Sequence, residues 1–390
     1  MEHHVRHSVI WKLMRPLVRL ILLIRFRYRC SPRALKGPFI VVCNHVTDWD
    51  PLLVGAAFRD QMYFLASEHI MRQGFVSRLL EWLVHPIVRQ KGGSAAGAVK
   101  EMLRVIKDGG NVAFFPEGNR TWDGVTRDFP ASTGKLVKSS GAALVTFRLH
   151  GGYLSSPRWS GNTLRRGQMR GELVKVYTPE ELKAMSALQI NAAIARDIHV
   201  DAYEDQRGRP VLYRGTHLAE SLETLLFICP KCFSRGTLRS EDDSFHCKSC
   251  GFETRYALTG SFVGGSAPFP DVRSWNRWQN KQIEKLCAEA KEDEPIFSDE
   301  GLELYSVQSG RSSELIGRGD MALYRDRLEL PGDISLPVGE ITGMSLRGPT
   351  DLYIGSANGN NFLLRTHLPL CTNKYLTACS LLGSHVGVGV

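Results

Sequence analysis

Short, wholly apolar runs alternate with stretches of helical spacing through the first half of the chain. Phe39–Cys43 is five apolar residues in a row directly after Gly37-Pro38, the pattern of a strand buried on both faces. Residues 111–115 read as a second such strand and residues 142–147 as a third. Between the first two, Asp50-Pro51 predicts a helix start, with Asp as N-cap and Pro at the first position. Residues 95–108 place Ala98, Met102, Val105 and Ile106 at helical spacing and stop at Gly109-Gly110. Residues 179–204 read as further helices. Strand and helix in alternation predict an α/β domain, a sheet with flanking helices. The later part reads differently. Residues 275–292 form one amphipathic helix, and short alternating strands follow from Ile296 (302–307, 321–330, 352–354, 362–365), closed by a helix at Asn373–Leu382.

Residues 9–24 are the most apolar stretch, yet Lys12, Arg15 and Arg19 interrupt them at i, i+3 and i+7. Such a segment is too broken to span a bilayer, which needs about 20 predominantly apolar residues. A basic stripe on an otherwise apolar helix suits the lipid interface, with Trp11 at the boundary and removal of the helix leaving the α/β core folded. The alternative is a helix covering a core face, bent at Pro16. His3, His4 and His7 read as part of a frayed terminus.

Nine cysteines are too few and too scattered for a disulfide framework in 390 residues. Four form two pairs, Cys229/Cys232 and Cys247/Cys250, separated by fourteen residues. Each Cys-x-x-Cys turn aims two thiolates at one point, and the segment between them forms a hairpin. Four thiolates suit a closed, structural zinc site.

The net charge is +9, and its placement matters more than its size. Residues 1–220 carry 32 basic and 19 acidic side chains, or +13, whereas residues 221–390 carry 17 and 21, or −4. The cations therefore belong to the α/β part and favour an anionic partner. Nucleic acid is disfavoured, because Glu241, Asp242 and Asp243 surround the cysteine hairpin and no strand interleaves aromatic with basic residues.

Candidate chemistry begins where the first buried strand ends, at Asn44-His45-Val-Thr-Asp48-Trp-Asp50. The carboxyl ends of α/β strands are where such sheets bind ligands. Asp50 at a helix start can reach back to His45 and make it a general base; alternatively, Asp50 only caps the helix. The second strand ends in Phe115-Pro-Glu117-Gly118-Asn119-Arg120. Together these blocks resemble the PlsC-type glycerolipid acyltransferases, whose signature is Asn-His, four residues, Asp, and later Phe-Pro-Glu-Gly-Thr-Arg. Between them Val88-Arg89-Gln-Lys-Gly92-Gly93 fits the family's intermediate segment. Asn119 replaces the family's Thr, and residues 143–150 lack the Pro of its fourth block.

The resemblance covers residues 35–180 and implies a mixed sheet with flanking helices. It implies His45 and Asp50 as the catalytic base pair and Asn44, Arg89, Glu117, Gly118, Asn119 and Arg120 as substrate-binding, the two arginines on a phosphate. It implies transfer of an acyl group from acyl-CoA or acyl-carrier protein to the free hydroxyl of lysophosphatidate, giving phosphatidate. The alternatives are glycerol 3-phosphate or another lysolipid as acceptor, or a catalytically silent lipid-binding scaffold. The expected organisation is a membrane-interface segment (1–30), an acyltransferase domain (31–220), a zinc ribbon (225–258), a linker and helix (259–295) and a pleckstrin-homology-like β domain (296–390). The expected location is the cytoplasmic face of a membrane, attached peripherally to its phospholipid surface.

Overall fold

The computed structural model describes residues 2–31, 34–67, 85–89, 96–161, 163–265, 267–307, 313–383 and 387–388. The chain divides into two units, Met1–Pro157 with Leu164–Arg214, and Arg158–Thr163 with Gly215–Gly389. The first unit opens with α1 (Glu2–Phe26), β1 (Arg29–Cys30), β2 (Phe39–Cys43), α2 (Asp50–Ala57), β3 (Met62–Ser67) and β4 (Ile87–Arg89). It continues with α3 (Ala96–Lys107), β5 (Asn111–Phe114), α4 (Ser132–Ser140), β6 (Ala143–His150), β7 (Arg170–Tyr177), α5 (Pro179–Ala184), α6 (Ala187–Ile198) and α7 (Ala202–Gly208).

The seven strands form one sheet in the order β1-β7-β6-β2-β5-β3-β4. Strands β6, β2, β5, β3 and β4 are parallel. Strand β7 runs antiparallel to β6 and carries β1 parallel to itself, which makes the sheet mixed. Strand β2 sits inside the parallel part, and alternation explains why it is apolar throughout. Phe39, Val41 and Cys43 face α1 and α2, while Ile40 and Val42 face α3, α4 and α6. Helix α3 ends where the pattern predicts: Gly110 N donates to Val105 O (2.9 Å), and Gly109 takes a φ of 83°.

Helix α1 corrects part of the sequence reading. Trp11, Val18, Leu22 and Phe26 are buried in the same core as α2 and β2. Trp11 therefore lies inside the fold, not at a lipid boundary; its ring abuts Gly55, where an added Cβ would fall 3.2 Å from it. His7 is buried with Nδ1 3.1 Å from the Tyr63 hydroxyl, so the helix start is packed and not frayed there. Arg15 turns inward to donate to Ala56 O at 3.2 Å. The opposite face leaves Leu13, Leu17, Leu20 and Ile24 exposed, Leu13 at 76%. Among the described residues no helix is long and apolar enough to cross a membrane.

In the second unit β8 (Leu238–Glu241), β9 (Ser244–Cys247), β10 (Glu253–Tyr256) and β11 (Phe262–Val263) form an antiparallel sheet. Helix α8 (Val272–Ala288) starts three residues before the predicted helix and ends four before it. It is part of this small fold and not a spacer: Trp275 packs on Phe245, Phe252, Phe262 and Phe269 and donates to Ile228 O at 3.1 Å. Gln279 behaves like a strand neighbour, accepting from Phe227 N (2.7 Å) and donating to Leu225 O (3.0 Å).

Strands β12 (Phe297–Ser306), β13 (Glu314–Leu323), β14 (Arg327–Leu330), β15 (Ile334–Pro337), β16 (Ile341–Arg347), β17 (Asp351–Ser356) and β18 (Asn361–Thr366) follow, then α9 (Asn373–Leu382) and β19 (Gly387–Val388). They form one sheet, β15-β14-β13-β12-β18-β17-β16-β19, in which β12 joins two meanders. The single strand predicted at 321–330 is two, because the chain turns where Tyr324 N donates to Arg327 O (2.8 Å). Helix α9 is tied down by Asp299, which accepts from Tyr375 Oη and Lys374 Nζ, both at 2.7 Å.

Fully burying a large apolar side chain is worth roughly 1.5–3 kcal/mol, so the four buried residues make α1 structural. Deleting residues 8–24 is expected to unfold the first unit, against the sequence-based expectation. Leu22→Ala should lower stability by about 2–5 kcal/mol in urea unfolding, while Leu17→Ser on the exposed face should shift it by about 0.5 kcal/mol or less. Equal effects would mean that the helix is not docked as described.

Candidate active site

The end of β2 delivers Asn44 and His45 to the mouth of the sheet, and several contacts lock them there. Asn44 is buried, with Oδ1 accepting from Leu149 N (2.8 Å) and Nδ2 donating to Leu149 O (3.0 Å). Its amide thus continues the β2–β6 ladder by one rung. The backbone of His45 is held on both sides by the loop after β5. His45 N donates to Glu117 Oε1 at 2.6 Å, and Thr121 N donates to His45 O at 3.0 Å. The imidazole stacks on Phe115, with centroids 4.5 Å apart and planes 19° from parallel.

Asp50 is the most constrained group. Its side chain has no exposed surface, and its oxygens accept from Val46 N (2.6 Å), Thr47 N (3.0 Å), Thr47 Oγ1 (2.7 Å) and His45 Nδ1 (2.8 Å). It is the first residue of α2 and makes no cap; Trp49 occupies that position. A carboxylate so surrounded by donors is an acceptor throughout, so His45 Nδ1 carries the proton and Nε2 presents its lone pair. The His45 side chain is 20% exposed, so the ring is open in part to solvent.

Glu117 is buried, and both its oxygens are engaged, Oε1 by His45 N and Oε2 by Arg127 N (2.7 Å). It positions the loop through these two backbone bonds. Burial pushes its carboxyl up to about 8, against the two backbone donors, which favour the ionised form. Gly118 takes a φ of 67° and closes the turn by donating to Phe115 O at 3.1 Å. Asn119 is half-buried beside it. Arg120 reaches across the site, donating to Val46 O (3.2 Å), Ser156 O (2.7 Å) and Asp48 Oδ2 (2.7 Å). Asp48 is 80% exposed, so it is a partner of Arg120 that an incoming anion can displace. Arg89 ends β4, at the opposite sheet edge from β1; its side chain and residues 90–93 lie outside the described residues.

Thr47 and Phe115, which hold the carboxylate and the ring, were not among the sequence candidates. Their signal is local: Thr47 lies inside the His45–Asp50 spacing, and Phe115 opens the Glu117 block.

A second cluster lies in the other unit. The sulfurs of Cys229, Cys232, Cys247 and Cys250 are all within 4.8 Å of one another. The two turns repeat one pattern: Phe233 N donates to Cys229 O and Gly251 N to Cys247 O, each at 3.0 Å. Phe233 and Gly251 both have positive φ, 60° and 68°. The cluster has the donor set and closeness to hold a metal ion.

Residues 24–150 match the family model described as Acyltransferase. The chain is similar to the 1-acyl-sn-glycerol-3-phosphate acyltransferase of Borreliella burgdorferi, 29% identical over 118 residues, 30% of this chain and 46% of that one. It is also similar to 1-acyl-sn-glycerol-3-phosphate acyltransferase LPAT1, chloroplastic, of Arabidopsis thaliana, 28% identical over 34% of this chain and 37% of that one. These matches support the acyltransferase class of enzyme. The chain spans less than half the length of both curated relatives. Among solved structures, the 1-acyl-sn-glycerophosphate acyltransferase PlsC of Thermotoga maritima aligns with a TM-score of 0.42 at 17% identity, covering 52% of this chain and 82% of that chain.

The Glu117 carboxyl makes a signed prediction. Between its ordinary value of 4.5 and about 8, the folded chain holds a proton there that the unfolded chain has lost. Stability therefore falls as pH rises through that window. Thermal melting should show the parent losing stability from pH 5 to 8 relative to Glu117→Gln, which has no such titration. A pH-independent difference between the two would contradict this assignment.

Proposed function

We propose that the first unit transfers a fatty acyl group from an acyl thioester to the free hydroxyl of lysophosphatidate, giving phosphatidate. The observation that carries this reading is the His45–Asp50 pair, with a fully buried, four-donor carboxylate fixing the tautomer of an approachable imidazole. His45 Nε2 takes the hydroxyl proton as that oxygen attacks the thioester carbon. The C–S bond then breaks, and the imidazolium returns the proton to the leaving thiolate. A thioester is already activated, so no acyl-enzyme is required. Asp50 stabilises the imidazolium and keeps its own charge.

Arg120, with Arg89, is assigned to the acceptor phosphate. A guanidinium binds phosphate through two parallel donors, and Arg120 has an exposed partner, Asp48, to exchange for it. The donor is acyl-CoA or acyl-carrier protein. The exposed face of α1 and the +13 balance of residues 1–220 support peripheral attachment to a phospholipid surface, on its cytoplasmic face. The antiparallel meander and terminal helix of residues 296–390 support a pleckstrin-homology-like module.

The four cysteines are assigned to structural zinc. Tetrahedral zinc with Zn–S bonds of about 2.3 Å puts sulfurs roughly 3.8 Å apart. Cys229 and Cys250 are at 3.7 Å, and Cys232 and Cys247 at 3.8 Å.

Removing a positioned base costs a factor of about 10²–10⁴, so His45→Ala should nearly abolish transfer from a radiolabelled acyl thioester to lysophosphatidate while the chain remains folded. Asp50→Asn should be comparably severe, since an amide NH2 would face donors with nothing to accept it and the amide cannot stabilise an imidazolium. Arg120→Lys should raise the KM for a phosphate-bearing acceptor more than it lowers kcat. Full activity in His45→Ala would end the proposal, and would favour the lipid-binding scaffold.

Metal analysis should find one zinc per chain, lost in a Cys232→Ser variant. Chelation should then lower the melting temperature of the second unit, because metal-binding energy is folding energy. A metal-free chain with unchanged melting would refute the zinc assignment.

A further inference from the structure

Three segments of the first unit meet beside the β1 edge of the sheet, and none of them takes part in the site around His45. The chain leaving α1 turns through Arg27, at a φ of 48°, and is tied to the start of β7 by Met169 N to Phe26 O and Arg29 N to Met169 O, both 3.1 Å. Residues 166 and 214 are joined by two backbone hydrogen bonds, Arg166 N to Arg214 O (2.7 Å) and Arg214 N to Arg166 O (2.9 Å). Gly167 lies against the Tyr213 ring, where an added Cβ would fall 2.0 Å from it. The three segments are thus braced against one another before any ligand arrives.

Between them is a cleft of about 490 Å³, lined among others by Leu23, Arg27, Arg29, Val211, Leu212 and Arg214. Tyr28 points into the core, and Arg27 and Arg29 on either side of it are exposed. Among the described residues no acidic side chain lines the cleft. Among the described residues, the side chains of Arg27, Arg29 and Arg214 make no hydrogen bond or ion pair. Three unpaired guanidinium groups around one concavity are a site for an oxyanion, and their planar forks match phosphate.

Phosphate chemistry alone does not distinguish a free ion from a lipid headgroup; the neighbouring surface does. A second cleft of about 260 Å³ shares Leu23 and Arg29 with the first and adds Arg19 and Leu20. From there the exposed row Leu13, Leu17, Leu20 and Ile24 runs along α1 at i, i+4, i+7 and i+11. An oxyanion site that opens onto an exposed apolar strip fits a molecule with a phosphate at one end and hydrocarbon at the other. We infer that this cleft binds the headgroup of an anionic phospholipid, with the acyl chains over α1, as a site separate from that of acyl transfer.

The test uses the full chain carrying His45→Ala, so binding is read without turnover and its outcome does not depend on the catalytic proposal. Binding is measured to phosphatidylcholine vesicles with and without phosphatidylglycerol. A basic residue near an anionic leaflet contributes about a fivefold gain in affinity, so Arg29→Gln/Arg214→Gln should weaken binding to the anionic vesicles about 25-fold. Binding to pure phosphatidylcholine should stay as it was. Lys100→Gln/Lys107→Gln on α3, exposed and equal in charge, should cost much less. An equal loss in that control would show general electrostatics and overturn the site. An unchanged affinity in the arginine pair would overturn it directly. Displacement of the anionic vesicles by free glycerol 3-phosphate, as effective as the double substitution, would make it a soluble-phosphate site and overturn the lipid assignment.

Discussion

A carboxylate with no exposed surface must be satisfied from within the fold, and Asp50 imposes that requirement on everything around it. Leaving such a charge unpaired costs several kcal/mol or drives it to take up a proton. Four donors are supplied instead, and three of them come from residues 46 and 47. The loop between β2 and α2 has one way to place all of them, so its conformation is dictated by the charge it encloses. His45 is the fourth donor, and its ring direction follows from the same constraint. The spacing of five residues between His45 and Asp50 is what allows a single turn of chain to wrap the carboxylate completely.

The rest of the first unit holds that loop at the sheet. Asn44 extends the β2–β6 ladder, and Glu117 and Thr121 take the two backbone groups of His45. Arg120 ties Val46 to Ser156 from the other side. Three of the residues expected to touch substrate, Asn44, Glu117 and Arg120, are therefore also fastenings of the loop, and their roles in folding and in chemistry are not separable by simple truncation.

Much of this was legible in the sequence, for physical reasons that differ by element. Strand β2 was readable because both of its faces are covered, which leaves no polar alternation to obscure it. Strand β7 was not: its residues alternate between exposed and half-buried, with Arg170, Glu172 and Lys175 among them, and no strand was predicted there. The split of 321–330 rests on a turn built without Gly, Asn or Pro, at Tyr324, Arg325 and Asp326. Asp50-Pro51 carries the composition of a helix cap, and a better set of donors one turn upstream overrides it. The cysteine pairs were the easiest, since two short turns at fixed spacing leave few ways to arrange four sulfurs.

Helix α1 shows where pattern reading runs out. Apolar residues cover nearly its whole circumference, so periodicity alone cannot say which side is core. The fold chooses the side of Trp11, Val18, Leu22 and Phe26, because those four meet the complementary surface of α2 and β2. What remains is a second apolar face that no element among the described residues of the first unit covers. A solvated row of this kind gains nothing for folding, and removing it from water is worth about 25 cal/mol per Å² to whatever docks there. The helix is therefore fixed on one side and adhesive on the other. Because its packed side bears on the same core as α2, whose first residue is Asp50, a surface that engages the outer face is held at a defined distance from His45.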